Sequence, residues 1–284
     1  MSKLASRTSL DDVAILAVDD PGDPRLTGYR DLKDTSLRRR TEARQGLFVL
    51  EGRFAVEAAL LSPYPLVSVL VMRRRLAVLD ELGLPPGTTV YVADDEVMNG
   101  VAGFDVHRGL LALGRRLPVP SAGELLAGRP RSPLVVVEGV NDQENLGALF
   151  RNAAAFAAGA VLLDPTCTDP LYRRCLRVSL GLVLRVPYAR VDPWPGPEPL
   201  GWLRAHGWVP LALTPNAGAE RLEHVAAELA GCRVALLVGA EGAGLSAAAL
   251  NACRRVRVAV APGVDSLNVA AATAVALHRF SELP

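Results

Sequence analysis

Four consecutive apolar residues, Leu134 to Val137, constrain the fold of this 284-residue chain more than any other feature. A strand with one face in water alternates apolar and polar side chains, whereas a strand buried on both faces is apolar throughout, as in parallel sheets covered by helices. Further strand candidates follow, separated by helical stretches: Ala160 to Leu163, Leu184 to Pro187, Val209 to Leu213, Val234 to Val238 and Val256 to Val260. The second half is therefore predicted to be an α/β domain with a mostly parallel sheet.

The first half also alternates strands and helices. Apolar runs predict strands at Leu47 to Leu50, Leu66 to Met72, Thr89 to Val92 and Leu110 to Leu113. Helices are predicted at Phe54 to Leu61, at Leu76 to Leu82 and from Asp94 onward. This βαβ alternation predicts a second, smaller α/β domain.

A segment rich in proline and glycine separates the two halves, between Arg115 and Pro133. Such composition is typical of a linker, here with room for one helical turn. We therefore predict an N-terminal tail at 1-20, a first domain at 21-115, a linker at 116-132 and a second domain at 133-284. The chain length agrees with two domains.

The formal net charge is only +1, so any attraction to nucleic acid must come from local clusters. Arginines cluster at Arg38, Arg39, Arg40 and Arg44, and again at Arg73, Arg74 and Arg75. A few well-placed cations suffice to bind phosphates, although a solvated helix face produces the same pattern.

Cysteine spacing and hydropathy argue against a metal-binding protein and a membrane protein. The four cysteines have no C-x-x-C spacing and no histidine cluster beside them, so no metal site is predicted and buried free thiols are expected. No stretch approaches the roughly 20 apolar residues of a membrane span. We expect a cytoplasmic protein that does not enter a membrane.

Three polar segments follow predicted strands, where open α/β sheets bind their ligands. They are Asn141 to Ala153, the glycine-rich Gly239 to Leu245, and Asp265 to Ala276. Singly, each has a structural explanation, since Asn145, Ser266 or Asn268 would cap a helix. The glycine spacing differs from the dinucleotide fingerprint, so a nicotinamide cofactor is not expected.

Together, in order and spacing, these segments resemble the SpoU, or TrmH, branch of the SPOUT class of RNA 2′-O-ribose methyltransferases. The family's three motifs match at Asn145, Gly147 and Arg151; at Gly239, Glu241, Gly242, Gly244 and Leu245; and at Val258, Val260, Ser266, Leu267, Asn268 and Val269. Phe48 to Gly52 and His107 to Gly109 resemble the family's small substrate-binding domain. Gln143 and Ala240 depart from the usual proline and from the usual Asn or Ser.

The resemblance implies a C-terminal domain threaded as a trefoil knot, S-adenosylmethionine as cofactor, and a homodimer acting on RNA. The positions matching the cofactor site are Leu213, Thr214, Gly239, Glu241, Gly244, Val258, Val260 and Leu267, and those matching the catalytic site are Asn145, Arg151, Glu241, Ser266 and Asn268. Candidate RNA-binding residues are Arg38, Arg39, Arg40, Arg44, His107 and Arg108. The alanine-rich stretch from Ala270 to Ala276 is consistent both with a dimer contact and with a buried helix.

The sequence leaves two roles open for Arg151. The family's motif-one arginine is proposed to activate the 2′-hydroxyl, but a guanidinium stays protonated at neutral pH and is a poor base. Our hypothesis is that Arg151 positions a phosphate and stabilises charge on the oxygen, while Glu241, Ser266 or Asn268 assists proton movement.

Two other function classes remain as alternatives. One is a non-catalytic RNA-binding protein on the same fold, and the other is a small-molecule transferase whose glycine loop holds a nucleotide. Arg151, Glu241 and Asn268 together argue against the first, and a separate basic domain argues against the second. Ribosomal RNA is preferred over transfer RNA as substrate, because the chain has an added N-terminal domain.

Overall fold

The computed structural model describes residues 13–33, 42, 44–128, 133–195 and 197–281, and the chain divides into two compact units. Unit 1 comprises Met1–Leu117 and Leu171–Arg185, and unit 2 comprises Pro118–Pro170 and Val186–Pro284. The predicted limits at 21-115, 116-132 and 133-284 stay a prediction. Arg38, Arg39 and Arg40 lie outside the described residues.

Unit 1 contains a mixed sheet of five strands in the order β1-β4-β3-β5-β2. The strands are β1 (Ala14–Ala17), β2 (Leu47–Glu51), β3 (Leu66–Met72), β4 (Thr89–Ala93) and β5 (Leu110–Arg115). Helices α1 (Arg53–Leu60), α2 (Val78–Leu82) and α3 (Asp95–Ala102) connect them, with 3₁₀ turns at Pro24–Tyr29 and Arg73–Arg75. Because β5 alone is antiparallel to its neighbours, the carboxyl ends of β3 and β2 share one edge with the amino end of β5.

Two features of unit 1 differ from the sequence analysis. The predicted tail contributes β1, which pairs with β4 in parallel and whose side chains are all exposed, so it lacks the apolar alternation that marks a strand. The segment Leu171–Arg185, inside the predicted second domain, packs in unit 1. Arg173 there donates to the buried carboxylate of Glu51, and a Cβ on Gly181 would lie 2.9 Å from the main chain of Ala55.

Unit 2 contains seven strands, all parallel, in the order β10-β12-β9-β11-β6-β7-β8. They are β6 (Leu134–Glu138), β7 (Ala160–Leu163), β8 (Tyr188–Arg190), β9 (Trp208–Leu213), β10 (Glu220–Arg221), β11 (Arg233–Gly239) and β12 (Arg254–Arg257). Every residue of β6 is buried. This confirms the predicted parallel sheet.

The described helices of unit 2 are α4 (Ala122–Ala127), α5 (Gln143–Ala155), α7 (Pro197–Ala205), α8 (Leu222–Glu228), α9 (Ala247–Ala252) and α10 (Val269–Phe280), whereas α6 (Arg173–Val178) belongs to unit 1. Helix α4 lies in the predicted linker and is held by a capping box between Ser121 and Glu124. Helices α5 and α10 pack together, and Asn152 on α5 donates to the carbonyl of Ala270 at 2.7 Å. Within the described ranges, every helix is too short or too polar to span a membrane.

The predicted strand at Leu184 to Pro187 is wrong. Leu182–Arg185 forms a 3₁₀ turn in unit 1, and the strand begins only at Tyr188. Short apolar runs do not by themselves distinguish a buried turn from a strand. The strand predicted at Val256 to Val260 ends at Arg257, because the following residues leave the sheet to line a cavity.

Candidate active site

A cavity of about 530 Å³ opens at the carboxyl ends of β9, β11 and β12 and at the start of α10. All eight positions matched to a cofactor site line it, as do Ser266 and Asn268. Ala240, Gly242 and Val269, which belong to or adjoin the matched motifs, and Asp265, which begins the third polar segment, line it as well. The lining residues that the sequence analysis did not assign to the site are Pro215, Val238, Arg257 and Ala272. Arg257 ends β12, just before the third motif begins at Val258, and that position was the signal for it.

Apolar side chains in this cavity are unusually exposed. Val260 is 38% exposed and Leu267 is 39% exposed, although both are large hydrophobic residues. Exposed apolar groups in a concave site are typical of a surface that a ligand covers. Asp265 and Glu241 add two carboxylates to the lining, and Arg257 adds one guanidinium. The cavity therefore suits a ligand that has an apolar ring together with charged groups.

The loop from Gly239 to Leu245 is tightly folded. Gly244 donates its N–H to the carbonyl of Ala240 at 2.9 Å, and Gly242 and Gly244 have positive φ angles of 86° and 69°. A Cβ added to Gly239 would lie 2.2 Å from the carbonyl carbon of Gly244. Main chain therefore fills the space that a side chain would need, and glycine is required at this position.

A hydrogen-bonded group of three side chains lies beside the cavity. The Nδ2 of Asn268 donates to Oδ1 of Asn145 at 2.9 Å and to Oε1 of Glu241 at 2.5 Å. Its Oδ1 accepts the N–H groups of Ala270 and Ala271 and so caps α10. The side-chain amide of Asn268 thus hydrogen-bonds the start of α10, Asn145 and Glu241 at the same time, and so links residues from all three motifs.

The predicted cap of the other helix is wrong, and the reason bears on the site. Asp142, not Asn145, caps α5, accepting the N–H groups of Glu144 and Asn145 at 2.8 Å. This leaves the side chain of Asn145 available to Asn268.

Arg151 is not brought to the cavity of its own chain. It is exposed on α5, six residues after Asn145, and at about 100° per residue it points roughly 120° away from Asn145 around the helix. It does not line the cavity, and none of the ion pairs found among the described residues includes it. Ser266, by contrast, lines the cavity.

Glu138, at the end of β6, accepts two hydrogen bonds next to the glycine loop. Its Oε1 accepts the N–H of Ser246 at 2.9 Å, and its Oε2 accepts the indole N–H of Trp194 at 3.2 Å. The carboxylate is buried and both oxygens are used, so Glu138 holds the point where the loop turns into α9. Sequence reasoning missed this residue because it ends an ordinary buried strand.

None of the four cysteines lines the cavity, and the expectation of buried thiols holds for Cys167 and Cys175 but not for Cys232, which is exposed. Burial raises the pKa of Cys167 to about 12 and that of Cys253 to about 11, so both remain thiols at neutral pH. In the part of the chain that is described, no group of three or more His, Cys, Asp and Glu side chains is placed to hold a metal ion.

The candidate RNA-binding residues that can be placed are in unit 1. Arg44, His107 and Arg108 are all exposed. Arg108 and His107 precede β5, at the edge where β2 and β3 end.

Comparison with known proteins identifies the family to which this chain is similar. Residues 132–278 match the model of the SpoU rRNA Methylase family. An uncharacterized tRNA/rRNA methyltransferase from Mycobacterium bovis is 43% identical over 269 residues, covering 94% of this chain and 92% of the relative. The 23S rRNA (guanosine-2'-O-)-methyltransferase of Ralstonia nicotianae is 33% identical over 195 residues, covering 67% of this chain and 76% of the relative. The crystal structure of an AdoMet-bound rRNA methyltransferase from Sinorhizobium meliloti has a TM-score of 0.76 at 23% identity, covering 93% of this chain and 97% of the other, and so shares the fold.

Proposed function

Because this chain belongs to the SpoU methylase family of RNA methyltransferases, we propose that it transfers the methyl group of S-adenosylmethionine to a ribose 2′-hydroxyl in ribosomal RNA. The observation that carries this proposal is the junction of all three motifs, where Asn268 joins Asn145 and Glu241 at the rim of the cavity. Ribosomal RNA is favoured because the Ralstonia relative is named for 23S rRNA and the Sinorhizobium structure for rRNA.

The residues present fit S-adenosylmethionine. A cavity of about 530 Å³ is within the usual range for small-molecule sites. Leu213, Val258 and Leu267 offer apolar surface to an adenine, and the loop amides offer polar groups. Asp265 and Glu241 match the positive charges of a sulfonium and an ammonium. When bound, the cofactor supplies an electrophilic methyl group.

The chain's own residues have two tasks in this reaction: to align the attacking oxygen and to assist loss of its proton. Asn268 holds the Glu241 carboxylate at a fixed position, so Glu241 can accept a hydrogen bond from a hydroxyl at the rim. Ser266 also lines the cavity. Arg151 would bind the adjacent phosphate and stabilise negative charge on the oxygen.

We include a homodimer in the proposal. Arg151 does not reach the cavity of its own chain. In a homodimer, Arg151 of the partner subunit would complete the site. Ala271 and Val275 on α10 are exposed and could form part of the contact. An active site shared between symmetric subunits needs only one interface.

The substrate class is tested by methyl transfer from labelled cofactor to purified RNA fractions from cells that lack this gene. We expect label in ribosomal RNA and little in transfer RNA. Label in transfer RNA alone would contradict the rRNA proposal and favour the tRNA alternative, which the M. bovis relative's name also allows.

Ala240→Asn is expected to tighten cofactor binding. Ala240 lines the cavity where relatives in this family usually carry Asn or Ser, and its methyl group cannot form a hydrogen bond. One added hydrogen bond corresponds to roughly a two- to tenfold lower Kd. Calorimetric titration with S-adenosylmethionine measures the change, with Ala240→Val as the control that adds bulk alone. Equal affinity for the Asn variant and the wild type would count against a missing hydrogen bond.

Glu138→Gln is expected to weaken cofactor binding about fivefold, at roughly 1 kcal/mol for one lost hydrogen bond. A glutamine that keeps its oxygen on the N–H of Ser246 turns its amide nitrogen toward the indole N–H of Trp194, so the contact to Trp194 is lost. Trp194→Phe removes one contact from the other side, so the double variant should bind no more weakly than Glu138→Gln. Additive losses, measured by the same titration, would show that the two residues do not act through one contact.

A further inference from the structure

The charged side chains that line the cavity are unevenly divided between the two signs. Among the described lining residues, Arg257 carries the one positive charge, against the two carboxylates of Glu241 and Asp265. Arg257 is the last residue of β12, where the chain leaves the sheet, and it is half-buried. It is therefore the lining side chain with which a negative group of a ligand can form an ion pair.

The guanidinium of Arg257 is held on one side and unpaired on the other. Its Nε donates to the carbonyl of Ala219 at 3.1 Å, which fixes the direction of the group. Within the described ranges, neither of its two terminal nitrogens has a hydrogen-bond or ion-pair partner. The contact to Ala219 therefore accounts for one donor group of the side chain and leaves the fork of the guanidinium available.

The other two arginines of β12 have structural partners instead. Arg254 forms ion pairs with Glu220 at 2.7 Å and with Glu228 at 2.6 Å. Arg255 donates to a main-chain carbonyl and to a side-chain amide oxygen of α9. Neither of them lines the cavity. Structural pairing thus explains two of the three arginines in this strand, and Arg257 is the exception.

S-adenosylmethionine has a negative group that the other lining residues do not match. Its methionine part ends in an ammonium and a carboxylate, and Glu241 and Asp265 would repel the carboxylate. A guanidinium presents parallel N–H groups to the two oxygens of a carboxylate, and such charge-assisted pairs are among the stronger hydrogen bonds. The unpaired fork of Arg257 therefore has the chemistry that this end of the cofactor requires.

We propose that Arg257 binds the carboxylate of the methionine part of S-adenosylmethionine. This assignment rests on the proposed function and adds to it the recognition of the amino-acid end of the cofactor. S-adenosylhomocysteine, which remains after methyl transfer, has the same carboxylate. Arg257 therefore contributes equally to the affinity for cofactor and for product.

The contact is tested by calorimetric titration with S-adenosylmethionine and with its decarboxylated analogue, which keeps the adenosine, the sulfonium and the ammonium. The measured quantity is the ratio of the two Kd values. In Arg257→Gln the preference for the carboxylated ligand should fall on the order of tenfold, as expected for a charge-assisted hydrogen bond. A merely structural role would change both Kd values by one factor and leave the ratio unchanged, and that result would overturn the proposal.

Two further variants serve as controls. Arg255→Gln removes the same charge two residues away in the same strand, outside the cavity, and should keep the wild-type ratio. Arg257→Lys keeps the charge but not the fork, so its ratio should lie between those of Arg257→Gln and the wild type. An equal fall in Arg255→Gln and Arg257→Gln would contradict a direct contact. Should Arg257→Gln fail to fold, a wild-type ratio in Arg257→Lys would contradict the two-hydrogen-bond pairing.

Titration with S-adenosylhomocysteine excludes a different placement of the guanidinium. Arg257→Gln should lose the same factor in affinity for this product as for the cofactor, because both carry the carboxylate. If Arg257 lay beside the sulfonium instead, the variant would bind S-adenosylmethionine more tightly than the wild type does. Unchanged affinity for both ligands with a raised KM for RNA would assign Arg257 to an RNA phosphate. Either result would overturn the carboxylate contact.

The wild-type titrations separate this proposal from the function on which it rests. A wild type that binds neither S-adenosylmethionine nor S-adenosylhomocysteine would refute the proposed function, and the assignment of Arg257 with it. A wild type that binds both ligands and methylates RNA, with Arg257→Gln matching it in every Kd ratio, would refute only the assignment of Arg257.

Discussion

Gly239→Ala is expected to weaken S-adenosylmethionine binding on the order of 100-fold or more while the chain remains folded. The new methyl group would lie 2.2 Å from the carbonyl carbon of Gly244, and main chain cannot move aside as a flexible side chain can. The loop would have to shift by about an ångström and would lose hydrogen bonds to the cofactor; two or three lost bonds at roughly 1 kcal/mol each raise the Kd on the order of 100-fold. Calorimetric titration should show a Kd raised by at least that factor.

The matched control for this change is Gly201→Ala. Gly201 is exposed in α7, with no heavy atom within 4 Å of an added Cβ. Alanine there should leave cofactor affinity unchanged and raise the free energy of unfolding by up to about 1 kcal/mol, since alanine favours a helix over glycine. Wild-type affinity in Gly239→Ala would contradict the role assigned to the loop. Should that variant fail to fold, Gly242→Ala, which introduces strain at a φ of 86° without a clash, gives a milder test.

Arg151→Ala is expected to lower kcat by about 100- to 1000-fold with little change in cofactor affinity. The side chain lies outside the cavity, so cofactor binding does not depend on it. In the proposed mechanism, stabilisation of the negative charge on the oxygen during methyl transfer does depend on it. Arg151→Lys keeps the charge but loses the planar fork that binds a phosphate through two hydrogen bonds. We expect its activity to stay low at raised pH. Full turnover restored at high pH would support a base role for this position instead.

Mixed dimers test whether Arg151 acts across subunits. Arg151→Ala and Gly239→Ala chains with different tags are co-expressed, and the mixed dimers form at random. If Arg151 of the partner subunit completes each cavity, half of the dimers have one intact site, so activity recovers to about a quarter of the wild type. Activity no greater than that of either variant alone, or a monomeric protein, would contradict the shared site.

Local patterning was sufficient to predict most strands. The buried strand β6 could be found because burial on both faces leaves a continuous apolar run over its first four residues, and β3 and β7 begin and end where the sequence analysis placed them. The exposed β1 could not be found, since its pairing with β4 is set by main-chain hydrogen bonds that leave no apolar alternation. The trefoil knot came from family resemblance alone and stays a prediction.

The sequence identified which residues belong to the site better than it predicted how they are arranged. The family resemblance selected Asn145, Glu241 and Asn268, but nothing local showed that Asn268 would hydrogen-bond the other two, because these residues are far apart in the chain. The cap at Asp142 was missed because Asn145 fits the same preference, and only the fold decides between them. Glu138 was missed because its partners, Ser246 and Trp194, meet it only in the folded sheet.

The most direct test of the central claim is the chemical position of the transferred methyl group. Labelled cofactor, the purified protein and ribosomal RNA are incubated, and the RNA is then hydrolysed in alkali, which requires a free 2′-hydroxyl at each cleaved linkage. A methylated ribose oxygen blocks cleavage there, so we predict label in alkali-resistant dinucleotides, absent with Gly239→Ala. Label released in mononucleotides would place the methyl group on a base and contradict ribose 2′-O-methylation.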